Sequence, residues 1–152
     1  DEYLSREQRN YVRLDTVFPV QFRLESLDCS CFLSGWVQGF TSNLSKGGIC
    51  LCVNNFPKEF LQLLKEHKAK ISLEIDLPIS RKPIPAQAIA AWIKDASSEA
   101  ANKYYIGLSY EKIDEAGNKL IMRYARGKKI LLPLVLGVIA FLGLGLILNS
   151  LG

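Results

Sequence analysis

Apolar and polar residues alternate with a period of two along most of the chain up to residue 111, which is the pattern of half-buried β-strands. The clearest case runs from Lys70 to Leu77, where every second residue is isoleucine or leucine. The same alternation predicts five further strands, over residues 16–24, 36–42, 49–54, 84–94 and 103–111. About six short strands with little helix indicate an antiparallel barrel or sandwich, an all-β class with helical additions.

Two segments change to the spacing of an amphipathic helix. A helix of two to three turns is predicted after Pro57, because the apolar residues Phe56, Phe60 and Leu64 are spaced four apart. Asp114 is expected to be the N-cap of a second helix. The segment 27–35 fits either a loop or a short strand, and the two tryptophans, Trp36 and Trp92, are expected in the core or at its rim.

The chain ends in a different kind of sequence. Residues 130–148 contain no charged residue and would span about 28 Å as a helix, which predicts a transmembrane helix rather than a buried core helix. A basic cluster of Arg123, Arg126, Lys128 and Lys129 precedes it. By the positive-inside rule this cluster places the β-domain in the cytoplasm, beside anionic lipid headgroups.

Three regions follow from these patterns. Residues 1–14 are a polar arm bearing arginines, residues 15–126 form the β-domain with its last helix, and residues 127–152 form the basic cluster and the membrane span. The net charge of +4 over 152 residues is too small for a protein that coats nucleic acid. The chain begins at Asp1 without a methionine, so we expect it to be part of a longer one.

The sequence offers little for catalysis or for a metal. Its cysteines form two Cys-x-Cys pairs, at residues 29 and 31 and at residues 50 and 52. One intervening residue is fewer than structural zinc sites mostly use, so the reduced, partly buried thiols of a cytosolic domain are expected ahead of a zinc site or a disulfide. The single histidine, His67, is expected to face solvent near a helix end. An enzyme using a cysteine with His67 has little support, because no base, nucleophile and orienting group occur in a recognisable order.

Two short motifs carry the candidate chemistry. Between two predicted strands, the residues Asn43 to Gly48 form a bend in which Asn43 and Ser45 point to the same side. Its glycines permit a positive φ and remove side-chain bulk. About 30 residues earlier, Arg9 and Arg13 are four apart, and their guanidinium groups suit guanine edges and phosphates. Taken alone, the first motif fits a plain hairpin and the second fits a solvated arm.

Together, Arg-x-x-x-Arg followed by a strand and by Asn-x-Ser-x-x-Gly resembles the PilZ family of cyclic di-GMP receptors. The segment Tyr104 to Tyr110 is similar to the late strand of that family with its central glycine. The resemblance covers residues 6–124 and implies a six-stranded antiparallel β-barrel that binds cyclic di-GMP outside its wall, without catalysis, metal or further cofactor.

The resemblance also implies site residues. Arg9 and Arg13 would hold guanine edges and phosphates, and Asn43 and Ser45 would hydrogen-bond guanine or phosphate oxygens. Gly48 would keep the surface open. Gln8 is at a position that influences whether one ligand or an intercalated pair binds. Asn43 replaces the commoner aspartate, which keeps an acceptor and loses a charge.

The expected mechanism is ordering by ligand, in which cyclic di-GMP bridges the arginines and the bend and fixes residues 6–14 on the barrel. The expected location is the bacterial inner membrane, where the domain would report to a membrane-embedded protein, by analogy in exopolysaccharide synthesis or secretion. The alternative is a structural or interaction domain of a membrane complex with a degenerate nucleotide site.

Overall fold

The computed structural model describes residues 13–29, 31–98 and 102–127. The strands are β1 (Leu14–Asp15), β2 (Pro19–Ser26), β3 (Val37–Ser45), β4 (Gly48–Asn54), β5 (Ala69–Ile75), β6 (Ile84–Asp95) and β7 (Lys103–Ile113). Helix α1 (Lys58–Lys65) lies between β4 and β5. A second helix, α2, occupies residues 115–127.

Six of these strands close into a barrel. The order is β3, β2, β5, β6, β7 and β4, and β4 pairs again with β3. Every pairing in this ring is antiparallel. The prediction of a six-stranded antiparallel β-barrel with short helices is therefore confirmed. The two-residue strand β1 adds to β3 beyond the point where β2 leaves it.

The barrel is filled by the apolar residues of the period-two pattern. Strand β5 shows the pattern without a break, because Ala69, Ile71, Leu73 and Ile75 are buried and the residues between them are half-buried. Phe22 of β2 and Ile106 of β7 are fully buried in the same core. Alternation along the sequence thus translates directly into an inner and an outer face of the wall.

Trp92 departs from the expected pattern. Counting from Ala86, Ala88 and Ala90, the alternation continues to Trp92 and would turn it inward, but the pairing of β6 with β7 shifts register between Ala90 and Trp92. An irregularity of this kind re-aims the side chains that follow it. Trp92 therefore lies outside the barrel and is 40% exposed, so of the two predicted places, core or rim, the core is ruled out. Trp36 is also 42% exposed.

Both helices bury one apolar side against the barrel. Helix α1 buries Leu61 and Leu64, and His67, which follows it, is exposed as predicted. Helix α2 begins after Asp114, whose carboxylate accepts a hydrogen bond from the Gly117 amide at 3.0 Å, and this confirms the predicted N-cap. The ambiguous segment after β2 is a turn with one isolated bridge, between Glu25 and Phe32.

The predicted membrane span at residues 130–148 lies outside the described residues, as do Lys128 and Lys129 of the basic cluster. Among the residues that are described, no helix has the length and apolar character needed to cross a bilayer.

Candidate ligand-binding site

The predicted bend is a tight hairpin whose flanks belong to the sheet. Asn43 and Ser45 are the last residues of β3, Gly48 begins β4, and only Lys46 and Gly47 form the turn. Ser45 and Gly48 pair across the hairpin. The predicted six-residue bend was therefore too long, and Asn43 and Ser45 lie on a strand instead of a loop.

The turn itself is held from outside the hairpin. The Lys46 carbonyl accepts a hydrogen bond from the Asn118 side-chain amide at 2.9 Å, and the Gly47 carbonyl accepts one from the Tyr110 amide at 3.0 Å. Both turn carbonyls are thus paired with later parts of the chain. These bonds fix the hairpin that presents Asn43 and Ser45.

Gly47 and Gly48 do not provide the positive φ that was expected of them. None of the described glycines has a positive φ, so neither Gly47 nor Gly48 uses the left-handed region. A Cβ atom at Gly48 would overlap the carbonyl oxygen of Leu108 on β7. Close approach of the β7 backbone therefore explains the glycine at position 48, and its role in keeping a ligand surface open stays a prediction.

Asn43 and Ser45 share the outer side of β3, as predicted. Leu44 between them is 1% exposed and belongs to the core, whereas Asn43 and Ser45 are half-buried on the outside. The Ser45 hydroxyl is 3.5 Å from the Gly48 carbonyl, a long hydrogen bond at best. The Asn43 side-chain amide forms no hydrogen bond with any described residue, so within this part of the chain its donors and acceptor are unpaired.

Strand β1 brings Arg13 to this side of β3. Leu14 lies opposite Leu44, and Asp15 lies opposite Asn43. Arg13 directly precedes β1 and is exposed, so the antiparallel register carries it towards Ser45 at the hairpin end. Arg13 of the first motif is thus brought, through this two-residue strand, to the strand that carries Asn43 and Ser45. Arg9 and Gln8 lie outside the described residues.

Thr41 anchors the segment that joins β1 to β2. Its hydroxyl donates to the Thr16 carbonyl at 2.6 Å and accepts from the Phe18 amide at 2.9 Å. The Thr41 amide donates to the Phe18 carbonyl at 3.0 Å, and the Thr41 side chain is buried. This set of bonds holds residues 16–18 against β3 just after β1, and thereby limits where Arg13 can lie.

A row of residues continues from Asn43 across the outer wall. Asn43 pairs with Cys50 on β4, Cys50 pairs with Gly107 on β7, and Gly107 pairs with Trp92 on β6. A Cβ atom at Gly107 would overlap the indole ring, so Trp92 lies directly over that glycine. An exposed aromatic ring and an open amide therefore lie on one face of the sheet, three strands apart.

Cys50 reports on the charge near this row. Burial raises the pKa of its thiol to about 11, although the positive charge of Arg13 acts in the opposite direction. The Arg13 guanidinium is thus within electrostatic range of the residue that pairs with Asn43. Cys50 is 4% exposed and stays a neutral thiol at pH 7.

Sequence reasoning missed Trp92 and Cys50. Cys50 pairs with the predicted ligand residue Asn43, and Trp92 pairs with Gly107, the central glycine of the late strand. The central glycine of the late strand was a usable signal, because a glycine opposite a tryptophan on a neighbouring strand commonly marks a close approach. The register shift that aims Trp92 outward has no comparable mark in the sequence.

The other cysteine pair corrects an expectation. Cys29 and Cys31 are joined by a disulfide, so the prediction of reduced thiols was wrong for these two. The turn after β2 brings their Cα atoms to 5.2 Å, within bridging range. Cys50 and Cys52 are free. Within the part of the chain that the structure describes, no group of three or more histidine, cysteine or acidic residues is placed to hold a metal ion.

A groove of about 530 Å³ lies elsewhere on the outer wall, over β2, β5 and β6. At its edge the Arg23 guanidinium lies 3.3 Å from the ring centre of Phe32 and 4.5 Å from that of Trp36. The groove is lined by Arg23, Trp36, Ser72, Leu73, Glu74, Pro85, Ala86, Gln87, Lys112, Ile113 and Asp114. None of the predicted ligand residues is among them.

The model of the PilZ domain family matches residues 7–127 of this chain. Among solved structures, the chain is similar to the inhibitor of motility MotI/DgrA of Bacillus subtilis, with a TM-score of 0.54 and 18% identity over 82% of this chain and 53% of that one. At this identity the likeness concerns the fold. None of the curated proteins matches the chain.

Two further structures are similar at lower TM-scores. The PlzA protein of Borreliella burgdorferi, solved in complex with c-di-GMP, has a TM-score of 0.48 and 16% identity over 82% of this chain and 46% of that one. The PilZ domain of YcgR from Escherichia coli, solved with c-di-GMP, has a TM-score of 0.44 and 14% identity, over 80% of this chain and 95% of that domain. The chain spans about half the length of the first two proteins.

Proposed function

The chain belongs to the PilZ family, and from this membership we propose that it is a receptor for cyclic di-GMP that binds the nucleotide on the outer face of β3. The observation that carries the proposal is the pairing of β1 with β3, which brings Arg13 to the strand of Asn43 and Ser45. Residues of both motifs would thus serve one surface.

The chemistry of that surface fits the ligand. A guanidinium can donate two parallel hydrogen bonds to a phosphate or to the O6 and N7 edge of guanine. The open Asn43 amide and the Ser45 hydroxyl both donate and accept, as the edge of guanine does. The ligand carries two phosphates, so the exposed positive charge of Arg13 also favours its approach.

Trp92 extends the proposed site. Its ring is 40% exposed and lies over Gly107, in the row that begins at Asn43. Stacking of a base on an aromatic side chain contributes about 1–3 kcal/mol. We place one guanine of cyclic di-GMP on or beside this ring, with the phosphates towards Arg13.

Binding, not catalysis, is the proposed activity. Ligand that bridges Arg9 and Arg13 to the hairpin would fix residues 6–14 against β3, and the contacts made only in that arrangement would drive the transition. Gln8 would then influence the number of bound ligands.

We also propose that the domain is tethered to a bacterial inner membrane and faces the cytoplasm. The support is sequence alone: residues 130–148 carry no charge, and Arg123, Arg126, Lys128 and Lys129 precede them. The basic residues would contact anionic lipid. The bound receptor would act on a membrane-embedded protein, by analogy in exopolysaccharide synthesis or secretion.

The experiment is a calorimetric titration of the full chain, kept in detergent, with cyclic di-GMP. We expect saturable binding at micromolar ligand or tighter, with a stoichiometry of one or two. GMP keeps the guanine and lacks the paired phosphates, whereas cyclic di-AMP keeps the paired phosphates and lacks guanine. Both controls should bind more weakly than cyclic di-GMP. A flat titration at about 100 μM ligand would reject the receptor function. It would mean that the binding free energy is weaker than about −5.5 kcal/mol.

A further inference from the structure

Helix α2 contacts the hairpin that carries the proposed ligand residues. The Asn118 side-chain amide donates to the Lys46 carbonyl at 2.9 Å, across 72 residues of sequence. Asn118 is only 9% exposed, and its Oδ1 atom has no partner among the described residues. A buried amide with an unpaired oxygen costs free energy, and the hydrogen bond from Nδ2 to the turn offsets part of that cost.

The same helix also contacts the segment that positions Arg13. The ring of Tyr124 packs edge-on against Phe18, with the ring centres 6.1 Å apart. The backbone of Phe18 is hydrogen-bonded to Thr41, which lies on β3, the strand that also carries Asn43 and Ser45. Ile121 and Ala125, on the same side of α2, are fully buried. One helix therefore supports both halves of the site.

The opposite side of α2 faces solvent and is basic. Lys119, Arg123 and Arg126 are exposed at intervals of four and three residues. An ion pair on this side, between Lys119 and Glu115, joins two largely exposed side chains and contributes little. On the barrel side of α2, Asn118 supplies a polar contact to the hairpin.

We propose that α2 is the output element of the receptor and that Asn118 couples it to the ligand site. The two states are α2 docked on the hairpin and α2 released from it. A ligand held by Arg13, Asn43 and Ser45 fixes β1 and the hairpin together, and so favours the docked state. The inference rests on the proposed function, since it takes cyclic di-GMP as the ligand. Asn118 is a positioning residue in this scheme, because it touches the turn and not the nucleotide.

Hydrogen exchange on the full chain tests this coupling. With the ligand saturating, amides in residues 115–127 of the wild type should exchange at least about fivefold more slowly, a factor typical of coupling between sites. Asn118→Ala should lose this slowing and should bind cyclic di-GMP more weakly by a similar factor, because coupling is reciprocal. Lys119→Ala is the matched control on the solvent side. It should keep both the ligand-dependent slowing and the wild-type affinity for cyclic di-GMP.

The outcomes separate the two proposals. Calorimetric binding without any change in the exchange of α2 overturns the coupling and leaves the receptor function intact. Full slowing in Asn118→Ala overturns the role of Asn118. Absence of binding in the wild type overturns both. Should Asn118→Ala not fold, Asn118→Ser takes its place, and the wild-type comparison still decides whether α2 responds.

Discussion

Asp15 lies opposite Asn43 in the antiparallel pairing of β1 with β3. This pairing brings Arg13 of the arginine motif to the strand that carries Asn43 and Ser45. A strand of two residues would be marginal by itself. Here it is supported by burial of Leu14 in the core and by the bonds of Thr41 to residues 16 and 18. The geometry of the proposed site therefore depends on the core as much as on its polar residues.

Replacement of Asn43 tests the open amide. Asn43→Ala should weaken cyclic di-GMP binding about three- to tenfold, the equivalent of one or two neutral hydrogen bonds. Asn43→Asp should bind at least as well as the wild type, since it keeps an acceptor and adds a charge for guanine N–H donors. Calorimetry on both variants makes the comparison. Tighter binding by Asn43→Ala than by Asn43→Asp would argue against a donor on the ligand at this position.

Trp92 should respond to the ligand, and Trp36 should not. In Trp36→Phe, the remaining indole is Trp92, and its fluorescence should change on addition of cyclic di-GMP. In Trp92→Phe, the remaining Trp36 lies at the groove over β2 and β5, away from the proposed site, and its emission should stay constant. Trp92→Ala should weaken binding roughly 5- to 100-fold through loss of stacking. A ligand-dependent signal from Trp36 alone would move the site to the groove.

Gly48→Ala should destabilise the barrel. The added methyl would overlap the Leu108 carbonyl, so the hairpin and β7 must separate locally. Overpacking of this kind costs about 1–3 kcal/mol, and the melting temperature should fall by several degrees. Gly35→Ala is the control, because nothing lies within 4 Å of a Cβ atom there. Equal melting temperatures for the two variants would contradict the close approach of β7.

The sequence predicts those parts of the structure that follow from a periodic pattern or from residues close together in the chain. The alternation along β5 predicts both its strand and its buried face, because side chains in a strand point alternately to two sides. The N-cap at Asp114 was equally readable, since its hydrogen bond joins residues three apart. Local rules of this kind account for the strands, the helices and the outward side of Asn43 and Ser45.

The site was less predictable because its contacts are long-range. The register shift after Ala90 decides that Trp92 faces outward, and the approach of Leu108 decides that residue 48 is glycine. Neither leaves a periodic trace. The strand β1 was not predicted, and the boundary between arm and β-domain was drawn through it, because two residues are too few to show alternation. Pairing with a strand 30 residues away defines it.

High pH should weaken the fold through Cys50. Burial raises the pKa of its thiol from the ordinary 9.0 to about 11, so the unfolded chain releases this proton at a lower pH than the folded one. The resulting stabilisation is complete below pH 9 and is lost as pH rises towards 11. Burial also raises the pKa of the Tyr110 hydroxyl, which adds to the loss above pH 10.

Urea denaturation between pH 8 and 11 measures this effect. Cys50→Ala should show a shallower fall in the free energy of unfolding over pH 9 to 11 than the wild type, whatever its stability at pH 8. The remaining slope reports on Tyr110 and other groups. Identical slopes in the two proteins would mean that the Cys50 thiol is not buried as described.

Arg13→Ala should weaken binding about 10- to 150-fold, the loss of a charge-assisted pair. Arg81→Ala, which removes an exposed arginine from the loop before β6, is the matched control and should bind as the wild type does. Both variants should melt at the wild-type temperature, because neither side chain is buried. A lower melting temperature for Arg13→Ala would assign this residue to structure.

The most direct measurement of the central claim is a double-mutant cycle by calorimetry, with cyclic di-GMP titrated into the wild type, Arg13→Ala, Asn43→Ala and the double variant. Two residues that hold one ligand across the pairing of β1 with β3 should be coupled, with losses in binding that depart from additivity by more than about 0.5 kcal/mol. Losses that add within that margin, or a wild type that does not bind, would contradict the account.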